Sequence, residues 1–164
     1  MKLFRLLIAC VLVCSLSLAT IARVKSPEEW THPAGWKFWL PDNMKATPDG
    51  DMLEVEDKAG KVYIAFFVPK NVKDIGSALD EVDKELSAWL KNIHYDKPTE
   101  SKVDGIDELF ITGTGKDRDD DTAMEFDLGV YHKKGKLLMV LGVTTAENFD
   151  KYDKTFTKIL DSIR

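Results

Sequence analysis

The stretch Val62–Val68, VYIAFFV, is apolar on both of the faces that a strand presents, and it is bounded by Lys58-Ala59-Gly60 and by Pro69. A run this short, flanked by turn residues and rich in β-branched and aromatic side chains, reads as a strand rather than a helix. Successive side chains of a strand point to opposite sides, so this one has to be covered on both faces. That requirement places it inside a sheet and demands a covering layer above and another below.

The rest of the chain supplies those layers. In GWKFWLP, Trp36, Phe38 and Leu40 alternate with other positions, and Pro41-Asp42-Asn43 closes the segment with turn chemistry. In DMLEVED, Leu53 and Val55 alternate with Glu54 and Glu56, the pattern of a half-buried strand. After the apolar strand the period changes from two to 3.6. Ile75, Leu79, Val82, Leu86, Trp89, Leu90 and Ile93 build one helical stripe, with Asp74 or Ser77 as its cap. PTESKVDGIDELFITGTG predicts two strands about a turn at Asp104-Gly105, and TAMEFDLGVYH and KLLMVLGVTT predict a hairpin about Lys133-Lys134-Gly135. Thr144 and Glu147 fit a capping box ahead of a closing helix whose stripe is Phe149, Tyr152, Phe156, Ile159, Leu160 and Ile163. The predicted order is βββαββββα. Short connections make the sheet mainly antiparallel, so the expected class is α+β: about six to seven strands with helices on both faces, an α/β/α sandwich. Residues 23–34, polar and carrying Pro27 and Pro33, are expected to form an arm leading into the fold.

The first 22 residues are expected to stand apart from this domain. Lys2 and Arg5 precede the apolar run Leu6–Leu18, and small residues follow at Ser17 and Ala19 or at Thr20 and Ala22. That is the layout of a secretory signal peptide cleaved after Ala19 or Ala22, leaving one globular domain over residues 23–164. The apolar run falls short of the roughly 20 residues that a spanning helix needs, which disfavours an uncleaved anchor. LIAC, ending at Cys10, imitates a lipoprotein site, but only four apolar residues separate Arg5 from Cys10, too few for the hydrophobic region of a signal. The chain's two cysteines, Cys10 and Cys14, both lie in this leader. The mature domain would therefore rely on its core alone, without disulfides or thiolate ligands. Loss of Lys2 and Arg5 takes the net charge from −5 to −7. Such a balance disfavours nucleic acid and anionic membrane surfaces as partners, since both reward basic stripes. No later segment is apolar enough to span a bilayer, and the expected location is periplasmic or extracellular.

The GWKFWLPDNM entry strand, the buried strand, the helix, the meander ending in LLMVLGVTT and the closing helix FDKYDKTFTKILDSIR together resemble the PsbP-like superfamily over about residues 32–164. The exported bacterial proteins similar to DcrB belong to that superfamily. The resemblance implies an α/β/α sandwich and a non-enzymatic binding or assembly role. It carries no shared catalytic motif whose residues could be transferred to this chain.

Motifs that would carry chemistry are sparse. His32, His94 and His132 show neither i, i+4 spacing nor an H-E-x-x-H pattern, so the expectation is three surface or element-end histidines and no zinc site. Ser77 sits at a helix start and outside any G-x-S-x-G elbow. Gly113–Asp117, GTGKD, lacks the spacing of a phosphate loop, and no cofactor motif is present. Asp117, Asp119 and Asp121 match the first three alternate ligands of a calcium loop. The match then fails at Thr122, where glycine is wanted, and at Leu128, where a bidentate Glu is wanted. The expectation is a solvated hairpin tip, with a weak, nonspecific cation site as the alternative. Trp36 and Trp39 are expected in the core and Trp30 at the surface. The competing reading is a partner-binding edge built from Trp30, His32 and Trp39. The function expected from all this is an exported, non-catalytic binding or accessory protein of the bacterial cell envelope, engaging a protein or a small ligand. The alternative is a small exported hydrolase with a site assembled from dispersed His and Asp residues.

Overall fold

The computed structural model describes residues 28–164 apart from 70, 71, 73 and 74. The expected signal peptide, both cysteines and the proposed Asp74 cap lie outside the described residues. The chain begins with a two-stranded antiparallel ribbon, β1 (Glu28–Thr31) and β2 (Lys37–Leu40). An antiparallel sheet follows, built from β3 (Met44–Asp49), β4 (Met52–Asp57), β5 (Val62–Phe67), β6 (Leu90–Tyr95), β7 (Thr99–Val103), β8 (Ile106–Asp117), β9 (Ala123–Lys133) and β10 (Lys136–Thr145). Its order is β3-β4-β5-β10-β9-β8-β6, with β7 pairing along the other half of β8. Helix α1 (Ile75–Trp89) links β5 to β6, and a short 3-10 turn (Ala146–Asn148) leads into α2 (Phe149–Leu160).

The apolar run is the inner strand its composition demands: β5 lies between β4 and β10, in register with both. On one face Val62, Ile64 and Phe66 join Leu53, Val55, Leu138 and Val140 beneath Tyr152, Phe156, Ile159 and Leu160 of α2. On the other, Leu137, Met139, Leu141 and Val143 join Phe126, Leu128 and Val130 beneath Ala78, Val82 and Leu86 of α1. The sandwich class therefore holds, with one more strand in the sheet than the largest number expected. The β1–β2 ribbon packs beside α2 on the first face. Phe38 stacks on Phe66 at 4.0 Å between ring centroids, and Trp36 meets Tyr131 edge-on at 6.4 Å.

Four local expectations need correction. The arm contains β1, whose sequence EEWT shows no apolar period because its pairing to β2 is a main-chain affair. Residues 44–49 form β3, an exposed edge strand that tolerates Pro48. The helical stripe stops at Trp89, since Leu90–Tyr95 pairs with β8. The capping box at Thr144 does not form. Thr144 belongs to β10 and its hydroxyl donates to the Lys61 carbonyl at 2.8 Å, while α2 starts after Asn148 with no side-chain cap bond.

Candidate functional site

The β1–β2 register decides which tryptophan faces outward. Cross-strand partners share a face. Trp30 pairs with Phe38, which is wholly buried, so Trp30 turns inward and is half-buried against the core. Trp39 pairs with Glu29 and turns outward, 38 % exposed. The expectation that Trp39 is core and Trp30 exposed is thereby reversed. The alternation was correct, but the ribbon is an outer layer whose far face is only partly covered by the described residues.

His32 is corrected as well: it is 1 % exposed. The Ala34 N–H donates to Nδ1 at 3.1 Å, which makes Nε2 the protonated nitrogen, and Nε2–H donates to the Asp51 carbonyl at 3.0 Å. Burial pushes its pKa down from the ordinary 6.5, against the opposing pull of those carbonyl contacts. The ring is a structural clamp between the ribbon and the β3–β4 turn. The structure thus does not gather Trp30, His32 and Trp39 into one edge.

Around Trp39 it gathers different residues. Trp39, Leu40 and Pro41 face Thr155, Lys158, Ile159 and Ser162 across a groove of about 660 Å³ that is predominantly apolar. The groove's position is fixed by hydrogen bonds along the outer edge of β2. Lys37 and Arg164 exchange main-chain bonds at 2.9 Å each. The Trp39 N–H donates to Ser162 Oγ at 2.9 Å, and that hydroxyl donates to the Ile159 carbonyl at 2.6 Å. The Arg164 guanidinium lies 5.5 Å from the Trp39 ring centroid and pairs with Glu29. Leu40 and Ile159 are almost fully buried and form the floor. Lys158 is the one charged side chain of the lining. Sequence reasoning missed the helical half of this groove. Ile159 belongs to the predicted α2 stripe, but Thr155, Lys158 and Ser162 beside it are polar positions that periodicity alone assigns to solvent.

The remaining candidates are placed as follows. Asp117 ends β8, and Asp119 and Asp121 follow it on the β8–β9 connection, where the carboxylates of Asp117 and Asp120 serve the turn itself. Asp117 Oδ1 accepts from the N–H groups of Asp119 (2.7 Å) and Asp120 (3.3 Å), and Asp120 Oδ1 accepts from Thr122 N–H at 2.8 Å. Asp121 pairs with Lys91 at 2.9 Å, a contact that holds its carboxyl below the usual range. Among the described residues, no group of three or more His, Cys, Asp or Glu side chains is arranged to hold a metal ion. His94 is exposed on β6. His132 lies 3.7 Å from Asp107, which also pairs with Lys102 at 2.7 Å. The three histidines lie apart, His32 after β1, His94 on β6 and His132 near the end of β9. Ser77 sits in the first turn of α1. GTGKD is extended within β8, and its first glycine is explained by packing: a Cβ at Gly113 would lie 2.3 Å from the Phe126 ring.

Neither a protein-family model nor a curated protein matches the sequence. Solved structures do match. The cyanobacterial PsbP of Synechocystis superposes with a TM-score of 0.63 at 12 % identity, over 84 % of this chain and 91 % of that one. The fold is PsbP-like. LpqN, described as involved in cell envelope biogenesis of Mycobacterium tuberculosis, superposes with a TM-score of 0.54 at 8 % identity, over 84 % of this chain and 88 % of that one. A Bacteroides thetaiotaomicron protein gives 0.58 at 9 % identity, over 85 % of this chain and 48 % of that one. At these identities the PsbP-like likeness concerns architecture and leaves the activity to be argued from the site.

Proposed function

We propose that this protein is an exported, non-catalytic binding or accessory protein of the bacterial cell envelope, and that it engages its partner through the Trp39 groove. The observation that carries this reading is the groove itself: an exposed tryptophan beside proline and leucine, over a rigid floor, opposite one face of α2. Exposed aromatics on a pre-formed apolar surface are the groups that dominate protein and ligand recognition. Arg164 over the Trp39 ring and the Ser162 bond to its main chain hold the indole in place, so little ordering remains to oppose binding. The description of LpqN as involved in cell envelope biogenesis supports the same setting.

The hydrolase alternative asks for a polar pocket in which histidines and carboxylates converge. The closest arrangement is His132 beside Asp107, an exposed cross-strand pair shared with Lys102. That arrangement favours a surface charge network over a catalytic one.

The experiment is partner capture from isolated envelope fractions by the tagged protein. Trp39→Ala is compared with Val103→Ala, which removes the other large apolar side chain found exposed among the described residues. Capture lost in Trp39→Ala and kept in Val103→Ala is expected. Equal capture by both variants would remove the groove from the function.

A further inference from the structure

Under the first half of α2 the sheet changes character. Most of the face that α2 covers is apolar, but β9 places Glu125 and Asp127 there, flanked by Thr112 of β8 and by Gly142 and Thr144 of β10. Asp127 is 4 % exposed, and its Oδ1 makes no hydrogen bond. It borders a recess of about 20 Å³, room for little more than one water, lined on its helix side by Phe149, Tyr152, Asp153 and Phe156 of α2. The helix lies close here because Gly142, the cross-strand partner of Asp127, offers no Cβ. One built there would come 2.4 Å from the Phe156 ring.

The charges around Asp127 are of its own sign. Asp153 comes from α2 and Glu125 from β9; Asp150 of α2 and Asp96, just after β6, act in turn on Glu125. From β8 and β10 the neighbours are Thr112, Gly142 and Thr144. His94 of β6 is exposed beyond Thr114, next to Glu125 in the ladder. Tyr152 turns its hydroxyl away to Asp57, where Lys151 also reaches it, and Lys154 is exposed. None of these supplies Asp127 with a cation.

We propose that Asp127 is a proton-operated catch for α2: with its carboxyl protonated the first half of the helix seats on the sheet, and with the carboxylate ionised that half is driven off. An ionised carboxylate without a donor is costly to bury, and Asp153 and Glu125 add repulsion across the seam. A protonated carboxyl loses the charge and gains a donor. Burial, followed by those two acids, raises the Asp127 pKa from 3.8 to about 7. The folded state therefore holds a proton that the open state releases. The stability this proton supplies is fully present below pH 3.8 and is lost as the pH climbs to the folded value near 7. The catch does not rest on what the Trp39 groove binds.

Amide hydrogen exchange along Phe149–Phe156, corrected for the intrinsic pH dependence, reads the seam directly. In the unmodified protein, opening of this segment should grow by up to about tenfold per pH unit between pH 5 and 7, the limit for one proton, and level off above. Asp127→Asn should open alike at pH 5 and pH 8. Opening that follows the same pH course in Asp127→Asn would overturn the proposal. Should that variant fail to fold, the carboxyl carbon of Asp127 in the unmodified protein is titrated by NMR. A midpoint near 7 supports the catch, and one below about 5 overturns it.

Discussion

His32 shows how much one side chain can hold together. Its ring accepts from the segment that follows β1 and donates to the carbonyl of Asp51, and the accepting contact needs the neutral form. Since burial lowers its pKa from 6.5, the unfolded chain takes up the proton first as the pH falls. The stability from seating this ring is therefore present above about pH 6.5 and lost progressively below it, opposite in sign to the effect of Asp127. His32→Asn, which keeps an acceptor near Nδ1, should be less stable than the unmodified protein at pH 7, by about 1–3 kcal/mol. That gap should narrow at pH 5. Urea titrations at the two values check this, and a gap that does not change with pH would mean that the histidine is not held neutral. Nothing local in the sequence marks this residue, because its partner Asp51 lies 19 positions away. Asp127 was more accessible. The alternation of β9 puts it on the face of Tyr131 and opposite Phe126 and Leu128, a polar position in line with buried ones.

At the scale of elements, α2 is the piece whose docking completes one face of the core. Phe156 is buried against Gly142, and Tyr152 donates to Asp57 Oδ2 at 2.5 Å, tying the helix to the β4–β5 turn. The Lys61 and Val62 N–H groups donate to the other oxygen of that carboxylate. Against the upward push of burial, these bonds hold the Asp57 carboxyl below its usual range. Phe156→Ala should cost about 3–5 kcal/mol in a denaturant titration. A loss below about 1 kcal/mol would show that the helix is not seated as described. The stripes of α1 and α2 were legible in the sequence because an amphipathic helix repeats its apolar positions wherever it packs. The end of α1 was not, since Leu90 and Ile93 fit both a helical stripe and the bulged strand β6; pairing with β8 decides between them. β1 and β3 were illegible for a related reason. Edge strands are held by main-chain bonds, and their side chains need not alternate. The Trp39 groove was half legible: the aromatic cluster was visible, but the face opposite it comes from residues more than a hundred positions further on.

For the molecule as a whole, the described residues contain no helix long and apolar enough to cross a membrane. If the proposal of export is right, N-terminal sequencing of the protein recovered from outside the cytoplasm should find a start between Thr20 and Arg23. A lipid-modified start at Cys10 would replace the cleaved leader with an anchor. The β5–β10 pairing carries a consequence for how such a chain is made. Val62 is in register with Thr144, and the Lys61 carbonyl waits for a hydroxyl 83 residues downstream. A nascent polypeptide therefore presents the apolar edge of β5 long before the strand that covers it has been synthesised. Until then the segment is as ready to pair with a neighbouring chain as with its own. A chain with this topology is suited to being escorted unfolded by a holding chaperone until β10 has emerged.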